Sequence, residues 1–304
     1  MRHFDAAATR TRLGFEALIP ALERMFVAGC EVPARHVHDV GGELSTLIMP
    51  AWQPGRFLGI KTVHVAPGNA ARGLPSVHAS YQLFDSRTGA PLAAIDGNEL
   101  TARRTAAASA LACARLARAD ARRLAVVGAG AVAALLPHAH RAVRAIDHVD
   151  VWARRPEAAQ ALAERLRAEG VPAHAADDLG SAVGAADIVS CATLAAEPLV
   201  RGEWLRPGVH LDLVGSFTPA MREADDACFA GAQVWVDTDE ALKKSGELLA
   251  PLASGALATA QLRGALRDLC VAAPARDARA RTIFKSVGTA LEDLAAAILV
   301  YESA

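Results

Sequence analysis

The sequence predicts an α/β fold class, with a doubly wound parallel sheet and a second, discontinuous α+β domain. Two observations support this prediction. From residue 121 onward, short apolar strands alternate with helices, which is the pattern of βαβ units. Before residue 121, strands follow one another directly and are separated by turns rich in Gly and Pro. The length of 304 residues leaves room for about two domains, each with its own core.

The composition is that of a folded protein without a strong charge. Hydrophobic residues make up 52% of the chain, and 32 basic against 33 acidic residues give a net charge of −1. This balance does not indicate a nucleic acid or an anionic membrane as a partner. No apolar run reaches the roughly 18 residues of a membrane helix. Because the first residues are polar and the five cysteines are scattered, we expect a cytoplasmic protein with reduced thiols and no metal site.

The first region is predicted to contain a helix over Phe15–Phe26, followed by strands. Apolar runs bounded by turn residues place these strands at Leu44–Pro50, Phe57–Val65, Val77–Phe84 and Pro91–Ile95. The segment Asp85–Gly89 is typical of a hairpin turn. A helix-forming run then extends to about Ala119, with Thr101 as its N-cap.

The second region predicts strands separated by helices. The strands are Arg123–Val127, His148–Trp152, Ile188–Ala192, His210–Val214 and Gln233–Val236. One helix follows the first strand towards Val143, and another covers Pro156–Glu169. The last stretch, Thr282–Tyr301, has a long helical pattern that we expect to pack on the first region. The predicted domains are therefore residues 1–120 with 282–304, for substrate binding and dimerisation, and residues 121–281, for dinucleotide binding.

A glycine motif lies directly after the first strand of the second region. Gly128, Ala129, Gly130, Ala131, Val132 and Ala133 fit the pattern G-x-G-x-x-G/A. A strand ends just before the motif and a helix is predicted to start within it, which is typical of the pyrophosphate site in a Rossmann-type domain. Gly128 permits the tight turn, and Gly130 lets the backbone approach the phosphates. The alternative is a glycine-rich loop that forms a tight turn and binds nothing.

The end of the next strand bears on the choice of cofactor. A site for NAD usually has an Asp or Glu at this position, to bind the ribose 2′-hydroxyl. Here the strand ends in Ala153, Arg154 and Arg155, and Asp150 lies inside the strand. Two guanidinium groups favour a 2′-phosphate, so the sequence predicts NADPH, with NAD as the alternative. The two arginines could instead be a solvated surface pair.

Three cations of the first region are candidates for binding an anionic substrate. They are Arg35, Lys61 at the end of an apolar run, and Arg104 in an alanine-rich helix. Burying such groups without a partner is costly, and a substrate carboxylate would offset that cost. An arginine pair can hold a carboxylate, and Lys61 could hold a proton near a reacting nitrogen. The alternative is that each is an ordinary surface or ion-paired residue.

Ordered motifs run from about Arg35 to the C-terminus, and through them the chain resembles the ornithine cyclodeaminase/mu-crystallin family. They include Gly59-Ile60-Lys61-Thr62-Val63, Gly73-Leu74-Pro75, Leu100-Thr101-Ala102-Arg103-Arg104-Thr105-Ala106-Ala107, Gly128-Ala129-Gly130, Gly215-Ser216-Phe217-Thr218-Pro219 and Phe284-Lys285-Ser286-Val287-Gly288 with Glu292-Asp293. The resemblance implies a homodimer, a Rossmann domain and a substrate domain formed by both ends of the chain. It also implies that Arg35, Lys61 and Arg104 bind the carboxylate of an amino or imino acid beside the nicotinamide.

Within this family, particular residues indicate the reaction. The cyclodeaminases that this chain resembles carry an aspartate where this sequence has Phe217. A phenylalanine has no charge and exchanges no proton, so it cannot serve a substrate's second amino group. Together with the missing acidic strand tip, this favours the relatives that reduce cyclic ketimines with NADPH. We therefore predict reduction of Δ1-pyrroline-2-carboxylate or Δ1-piperideine-2-carboxylate to L-proline or L-pipecolate.

The predicted site gives each residue a role. Arg35 and Arg104 orient the carboxylate, Lys61 is the catalytic residue that supports the protonated imine nitrogen, and Phe217 packs against the ring methylenes. Ser286 and Gly288, expected at a helix start, would lie near the nicotinamide. Two other functions stay open at this stage. One is ornithine cyclodeaminase, a lyase that recycles its NAD, and the other is a binding protein that keeps NADPH and a small ligand without turnover.

Overall fold

The structure, a computed structural model, describes residues 1–272, 274 and 277–303. The chain divides into two compact units, of which unit 1 is Met1–Arg104 with Thr289–Ala304 and unit 2 is Thr105–Gly288. The sequence placed the corresponding divisions at 120/121 and 281/282, so unit 2 extends further in both directions than we expected. Each unit contains its own sheet, and the fold class is α/β as predicted.

Unit 1 is built around a sheet of six strands within its described residues, ordered β1-β6-β5-β4-β3-β2. Strands and helices are numbered along the chain. The strands are β1 (Arg2–Phe4), β2 (His36–Gly41), β3 (Leu44–Trp52), β4 (Phe57–Val65), β5 (Val77–Asp85) and β6 (Pro91–Asp96). The helices are α1 (Ala6–Arg12), α2 (Phe15–Ala28), the first part of α3 (Gly97–Leu116) and, at the end of the chain, α10 (Ala290–Glu302). Neighbouring strands are antiparallel except β1 and β6.

One face of this sheet is covered and the other is partly open. Helix α10 packs on β3, β4 and β5 and against α2. Residues on the covered face are buried, and they form cross-strand rows such as Met49–Lys61–Tyr81. Residues that alternate with them, such as Ile48 and Ile60, are only half-buried. Because side chains alternate between the faces of a strand, Lys61 is directed towards the helices.

Unit 2 contains, in its described residues, an eight-stranded parallel sheet ordered β13-β12-β14-β11-β10-β7-β8-β9. Its strands are β7 (Arg123–Val127), β8 (His148–Trp152), β9 (Ala173–Ala175), β10 (Ile188–Cys191), β11 (His210–Leu213), β12 (Gln233–Val236), β13 (Leu262–Ala265) and β14 (Thr282–Lys285). Its helices are the rest of α3, α4 (Leu136–Arg141), α5 (Pro156–Ala168), α6 (Leu179–Ala185), α7 (Ala241–Lys244), α8 (Gly246–Ser254) and α9 (Leu266–Val271). The strand order reverses between β7 and β10, so the sheet is doubly wound. In sheets of this type, ligands bind at the carboxyl ends of the two strands where the order reverses.

Three sequence expectations about elements were wrong. Helix α3 begins at Gly97, and not after Thr101, because the Asp96 side chain accepts a hydrogen bond from the Glu99 backbone N at 2.8 Å. The stretch expected as one long helix contains the strand β14 before α10, since its short apolar run fits either element and lies buried between β11 and β12. The helix after the glycine motif is short, because residues 131–135 form turns before α4.

Among the described residues, no helix combines the length and the apolar character needed to cross a lipid bilayer. Within the same residues, no group of three or more His, Cys, Asp or Glu side chains is placed to hold a metal ion.

Candidate active site

Lys61 on β4 and Arg104 on α3 meet two carboxylates of α10 in the interior of unit 1. Lys61 Nζ lies 2.6 Å from Asp293 Oδ2. Arg104 Nε donates to Asp293 Oδ1 at 2.8 Å, and its Nη1 donates to Glu292 Oε2 at 2.7 Å. Lys61 and Arg104 are only 2% and 5% exposed, and both carboxylates are fully buried. Asp293 therefore joins the two cations that the sequence singled out.

These ion pairs correct one step of the sequence argument. We expected a substrate anion to offset the burial of Lys61 and Arg104, but Glu292 and Asp293 already provide counter-charges. The sequence contained a signal for these two residues, because they are adjacent carboxylates at the start of a mostly apolar helix. Thr289 caps that helix and places both acids in its first turn, where the helix dipole stabilises negative charge.

The surroundings of Lys61 bring its proton exchange towards neutral pH. Burial lowers the pKa of Lys61 to about 8, although Asp293 acts in the opposite direction. Burial alone raises the pKa of Asp293, but Lys61 and Arg104 outweigh it and hold that pKa below its ordinary value. The cluster thus combines a carboxylate that stays ionised, a permanent arginine charge and a lysine that can give up a proton.

Arg35 comes directly before β2, an edge strand of the sheet that contains Lys61. The residue after it, His36, pairs with Ile48, and the same register extended by one residue would put Arg35 in the row of Met49 and Lys61. Arg35 is half-buried. With neighbouring strands about 4.8 Å apart, that register would place the Arg35 backbone roughly 10 Å from that of Lys61, with its side chain on the same face.

Phe217 belongs to unit 2, in the loop that follows β11. Its side chain is 48% exposed. The loop is anchored next to it, because Ser216 Oγ is 2.9 Å from Ser245 Oγ and the Gly246 N donates to Thr218 O at 3.0 Å. Phe217 is thus an exposed aromatic side chain on a fixed loop at the carboxyl edge of the parallel sheet.

The glycine motif forms a loop between β7 and the turns that precede α4. Gly128 has φ +124°, and a Cβ there would lie 2.5 Å from Ala192 O, so a side chain is excluded. A Cβ on Gly130 would meet nothing within 4 Å, which leaves open space over the loop. The Ala134 N donates to Gly130 O at 3.0 Å, so the first turn starts inside the motif. Ala129, Ala131 and Val132 complete the loop, and Ala133 is fully buried.

The end of β8 lies beside this loop, because the Gly128 N donates to Trp152 O at 2.8 Å. Arg154 and Arg155 follow and are both exposed. Arg155 Nε is 4.0 Å from Glu157 Oε1, a weak surface contact. Asp150 lies within β8, and His148 Nε2 is 2.9 Å from its Oδ1, so it is not at the strand tip.

Ser286 and Gly288 lie in the loop between β14 and α10, and not at a helix start as expected from the sequence. This loop is at the carboxyl edge of the parallel sheet. Asp237, directly after β12, accepts hydrogen bonds from the Val287 N at 2.7 Å and the Gly288 N at 2.6 Å. Asp237 was not identified from the sequence.

A glycine loop at the switch point of a doubly wound parallel sheet defines a dinucleotide-binding protein. The chain belongs to the ornithine cyclodeaminase/mu-crystallin family, whose sequence profile matches residues 21–304.

Three similar proteins indicate its position within that family. It is 44% identical over 291 residues to the Δ1-pyrroline-2-carboxylate reductase of Paracoccus denitrificans, covering 93% of this chain and 90% of that one. It is 34% identical over 296 residues to the ketimine reductase mu-crystallin of Mus musculus, covering 94% and 91%. The structure of Thermococcus litoralis Δ1-pyrroline-2-carboxylate reductase in complex with NADH and L-proline has a TM-score of 0.93 and 33% identity, covering 99% of this chain and 97% of that one.

Proposed function

We propose that the protein reduces a cyclic imino acid, Δ1-pyrroline-2-carboxylate or Δ1-piperideine-2-carboxylate, to L-proline or L-pipecolate with NADPH. The observation that carries this proposal is the buried cluster in which Lys61 and Arg104 share Asp293. Two of the relatives named above are Δ1-pyrroline-2-carboxylate reductases, and the third is a ketimine reductase. In this assignment unit 1 binds the substrate and unit 2 binds the dinucleotide.

The charges of unit 1 suit a carboxylate ligand. Glu292 and Asp293 balance Lys61 and Arg104, so these four groups together carry no net charge. Arg35, directly before β2, is a further guanidinium group of this unit. Arg104 and Arg35 then orient the substrate carboxylate, as guanidinium groups do through paired N–H donors.

Lys61 supports the nitrogen of the imine. Its ammonium form donates a proton or a hydrogen bond to this nitrogen, directly or through a water, and makes C2 more electrophilic. Because its pKa is about 8, Lys61 can give up and regain its proton near neutral pH. NADPH, when bound, would supply the hydride for C2, and the nitrogen would keep the proton. Asp293 holds the Lys61 ammonium in place during this step.

The loop after β11 lacks the aspartate that the cyclodeaminases carry. Phe217 stands at the position expected for the aspartate that handles a second amino group. Asp212 is close in sequence, but it lies fully buried in β11. Its carboxylate accepts hydrogen bonds from Ser109 Oγ, at 3.0 Å, and from Ser190 Oγ. Asp212 therefore cannot replace the missing aspartate.

The cofactor preference rests on the end of β8. Arg154 is exposed there, beside the loop of Gly128, and no acidic residue follows the strand until Glu157. A guanidinium group attracts the 2′-phosphate of NADPH, whereas the 2′-hydroxyl of NADH offers it no charge. We therefore assign NADPH as the preferred reductant.

The half-open face of the sheet in unit 1 supports a homodimer. Half-buried apolar residues lie on this face, including Ile48, Pro50, Leu58, Ile60 and Phe84. An apolar sheet face of this kind is stabilised when it packs against a second copy of itself. Light scattering should show a dimer for the wild type and a monomer for Ile60→Asp, while a monomeric wild type would contradict this assignment.

The absorbance of NADPH tests the proposed reaction. With Δ1-pyrroline-2-carboxylate, the purified protein should consume NADPH steadily and form L-proline. Release of ammonia from L-ornithine with catalytic NAD, in the absence of imine reduction, would show a cyclodeaminase instead. Tight NADPH binding without turnover of either imino acid would show a binding protein.

A further inference from the structure

Three loops at the carboxyl edge of the sheet in unit 2 are held by buried carboxylates. Glu223 is fully buried, and its Oε1 accepts hydrogen bonds from the Thr193 N at 2.7 Å and the Thr193 Oγ1 at 2.8 Å. Its Oε2 accepts a hydrogen bond from the Gly215 N at 2.7 Å. One side chain thus joins the loop after β10 to the loop after β11.

Glu223 is itself held by a second carboxylate. Glu247, on α8, accepts hydrogen bonds from the Glu223 N at 2.7 Å and the Ala224 N at 2.8 Å. Space is also limited around the Gly215 contact, since a Cβ on Gly215 would lie 2.0 Å from Thr193 O and 2.4 Å from Glu223 Oε1. The geometry of the two loops therefore depends on where the Glu223 carboxylate lies.

Lys285 provides the positive charge for this group of carboxylates. It is fully buried at the end of β14, and its Nζ donates to Leu213 O at 2.8 Å. It interacts electrostatically with Glu223, Glu247, Asp237 and Asp212. Asp237 holds the third loop through the Val287 and Gly288 backbone.

The two loops joined by Glu223 each present an exposed apolar side chain. Leu194, next to Thr193, is 79% exposed, and Phe217 is 48% exposed. The loop of Leu194 follows β10, which borders the switch point opposite the Gly128 loop. Large exposed apolar side chains at such a position are suited to contact with a bound ring.

We propose that Glu223 is a positioning residue for the dinucleotide site, which acts by joining the Thr193 loop to the Gly215 loop, with Lys285 as its counter-charge. The proposal rests on the dinucleotide-binding role assigned to unit 2. It does not depend on which substrate is reduced.

The protonation state of Glu223 affects this arrangement. Burial raises the pKa of Glu223, and Lys285 opposes the rise. Burial also raises the pKa of the neighbouring Glu247, to about 7. The other titratable groups around Glu223 and Glu247 are Lys285, Asp212, Asp237 and Cys191. A protonated carboxyl loses acceptor capacity, so one of the loop contacts of Glu223 is weakened as the pH falls through its pKa. Cofactor affinity should therefore decrease with decreasing pH.

Direct titration of NADPH fluorescence tests the proposal in the full-length protein. Glu223→Gln places an amide NH2 against backbone donors, and we expect the Kd for NADPH to rise roughly tenfold. The variant should also lose the part of the pH dependence of Kd that comes from Glu223. Thr193→Val removes one hydroxyl donor and keeps the side-chain shape, so it should weaken binding in the same direction by a smaller factor. If Glu223→Gln does not fold, the Kd of Thr193→Val for NADPH tests the proposal instead.

Glu203→Gln is the matched control, because Glu203 is an exposed carboxylate in a surface pair with Arg201. Its Kd for NADPH should equal that of the wild type at every pH. Unchanged Kd values and pH profiles for both Glu223→Gln and Thr193→Val would overturn the proposal. A wild-type protein that binds NADPH but reduces no imino acid would contradict the proposed function alone, since these Kd measurements need no turnover.

Discussion

Both units bury charged side chains, but they pair them differently. In unit 1, Lys61 and Arg104 pair with Glu292 and Asp293 through side chains alone. In unit 2, Glu223 accepts hydrogen bonds mainly from the backbone, while Lys285 donates to a backbone carbonyl. The partners therefore differ although the degree of burial is similar.

The type of partner determines what a buried charge can do. Burial lowers the pKa of Lys61 to about 8 against the opposing effect of Asp293, so this lysine can lose its proton near neutral pH. A carboxylate bound to backbone N–H groups fixes the path of the chain instead. We therefore associate the charges of unit 1 with proton and carboxylate chemistry, and those of unit 2 with the position of loops.

Among the substitutions, the largest expected effect distinguishes the roles of the two units. Lys61→Met should lower kcat/KM for Δ1-pyrroline-2-carboxylate about 1000-fold, because it removes the proton donor and one positive charge. Its Kd for NADPH, measured by fluorescence titration, should stay that of the wild type. Lys243→Met, on the short helix α7, is the control and should change neither quantity. Equal turnover of Lys61→Met and the wild type would remove Lys61 from the site.

The next effect is on stability. Asp293→Asn leaves Lys61 and Arg104 buried with reduced compensation, so the free energy of unfolding should fall by about 3–5 kcal/mol. Urea denaturation measures this change. The control is Asp226→Asn, which breaks a partly exposed pair with Arg222 and should cost less than about 1 kcal/mol. Similar losses for both variants would mean that the cluster of unit 1 has no special role in the stability of the fold.

Activity and stability should respond to alkaline pH in opposite directions. Above about pH 8 Lys61 loses its proton, so kcat/KM should fall, approaching tenfold per pH unit. The lowered pKa of Lys61 means that the unfolded chain binds more protons between about pH 8 and its ordinary value of 10.5, so its contribution to stability rises there. Rate measurements and denaturation at pH 7.5 and 9.5 distinguish these effects. A flat rate profile over this range would contradict the proton-donor role.

The smallest expected effect concerns the cofactor. Arg154→Asp replaces the guanidinium group beside the Gly128 loop with a carboxylate that suits a ribose 2′-hydroxyl. The ratio of kcat/KM for NADPH to that for NADH should fall roughly tenfold or more. Arg165→Asp, on α5, serves as the control. An unchanged ratio in Arg154→Asp would show that this arginine does not contact the 2′-phosphate.

Local sequence patterns were sufficient for much of the fold. Strands β4, β7 and β12 have the bounds that the sequence predicts, because each is a compact apolar run between turn residues. Strands β1 and β9 have three residues each, too few to show a period. Strand β2 was also missed, since all six of its residues are exposed and it has no apolar pattern.

The candidate site was predictable only in part, for a similar reason. Lys61 and Arg104 stand out as charges in apolar or small-residue segments, and the structure brings them together. Their partner Asp293 is almost 200 residues away from Arg104 in the chain, and no local pattern links them. The role of Glu223 was also not predictable, because the hydrogen-bond donors it meets are backbone groups that the fold brings close.

The proposed reaction depends most on the recognition of a carboxylate by the cations of unit 1. A comparison of kcat/KM for Δ1-pyrroline-2-carboxylate with that for Δ1-pyrroline, the same ring without the acid, tests this directly. We predict that loss of the carboxylate lowers kcat/KM roughly 10⁴-fold, because the cations then have no acid group by which to orient the ring for reduction. Comparable rates with the two imines would show that Arg35, Lys61 and Arg104 do not bind the substrate's acid group.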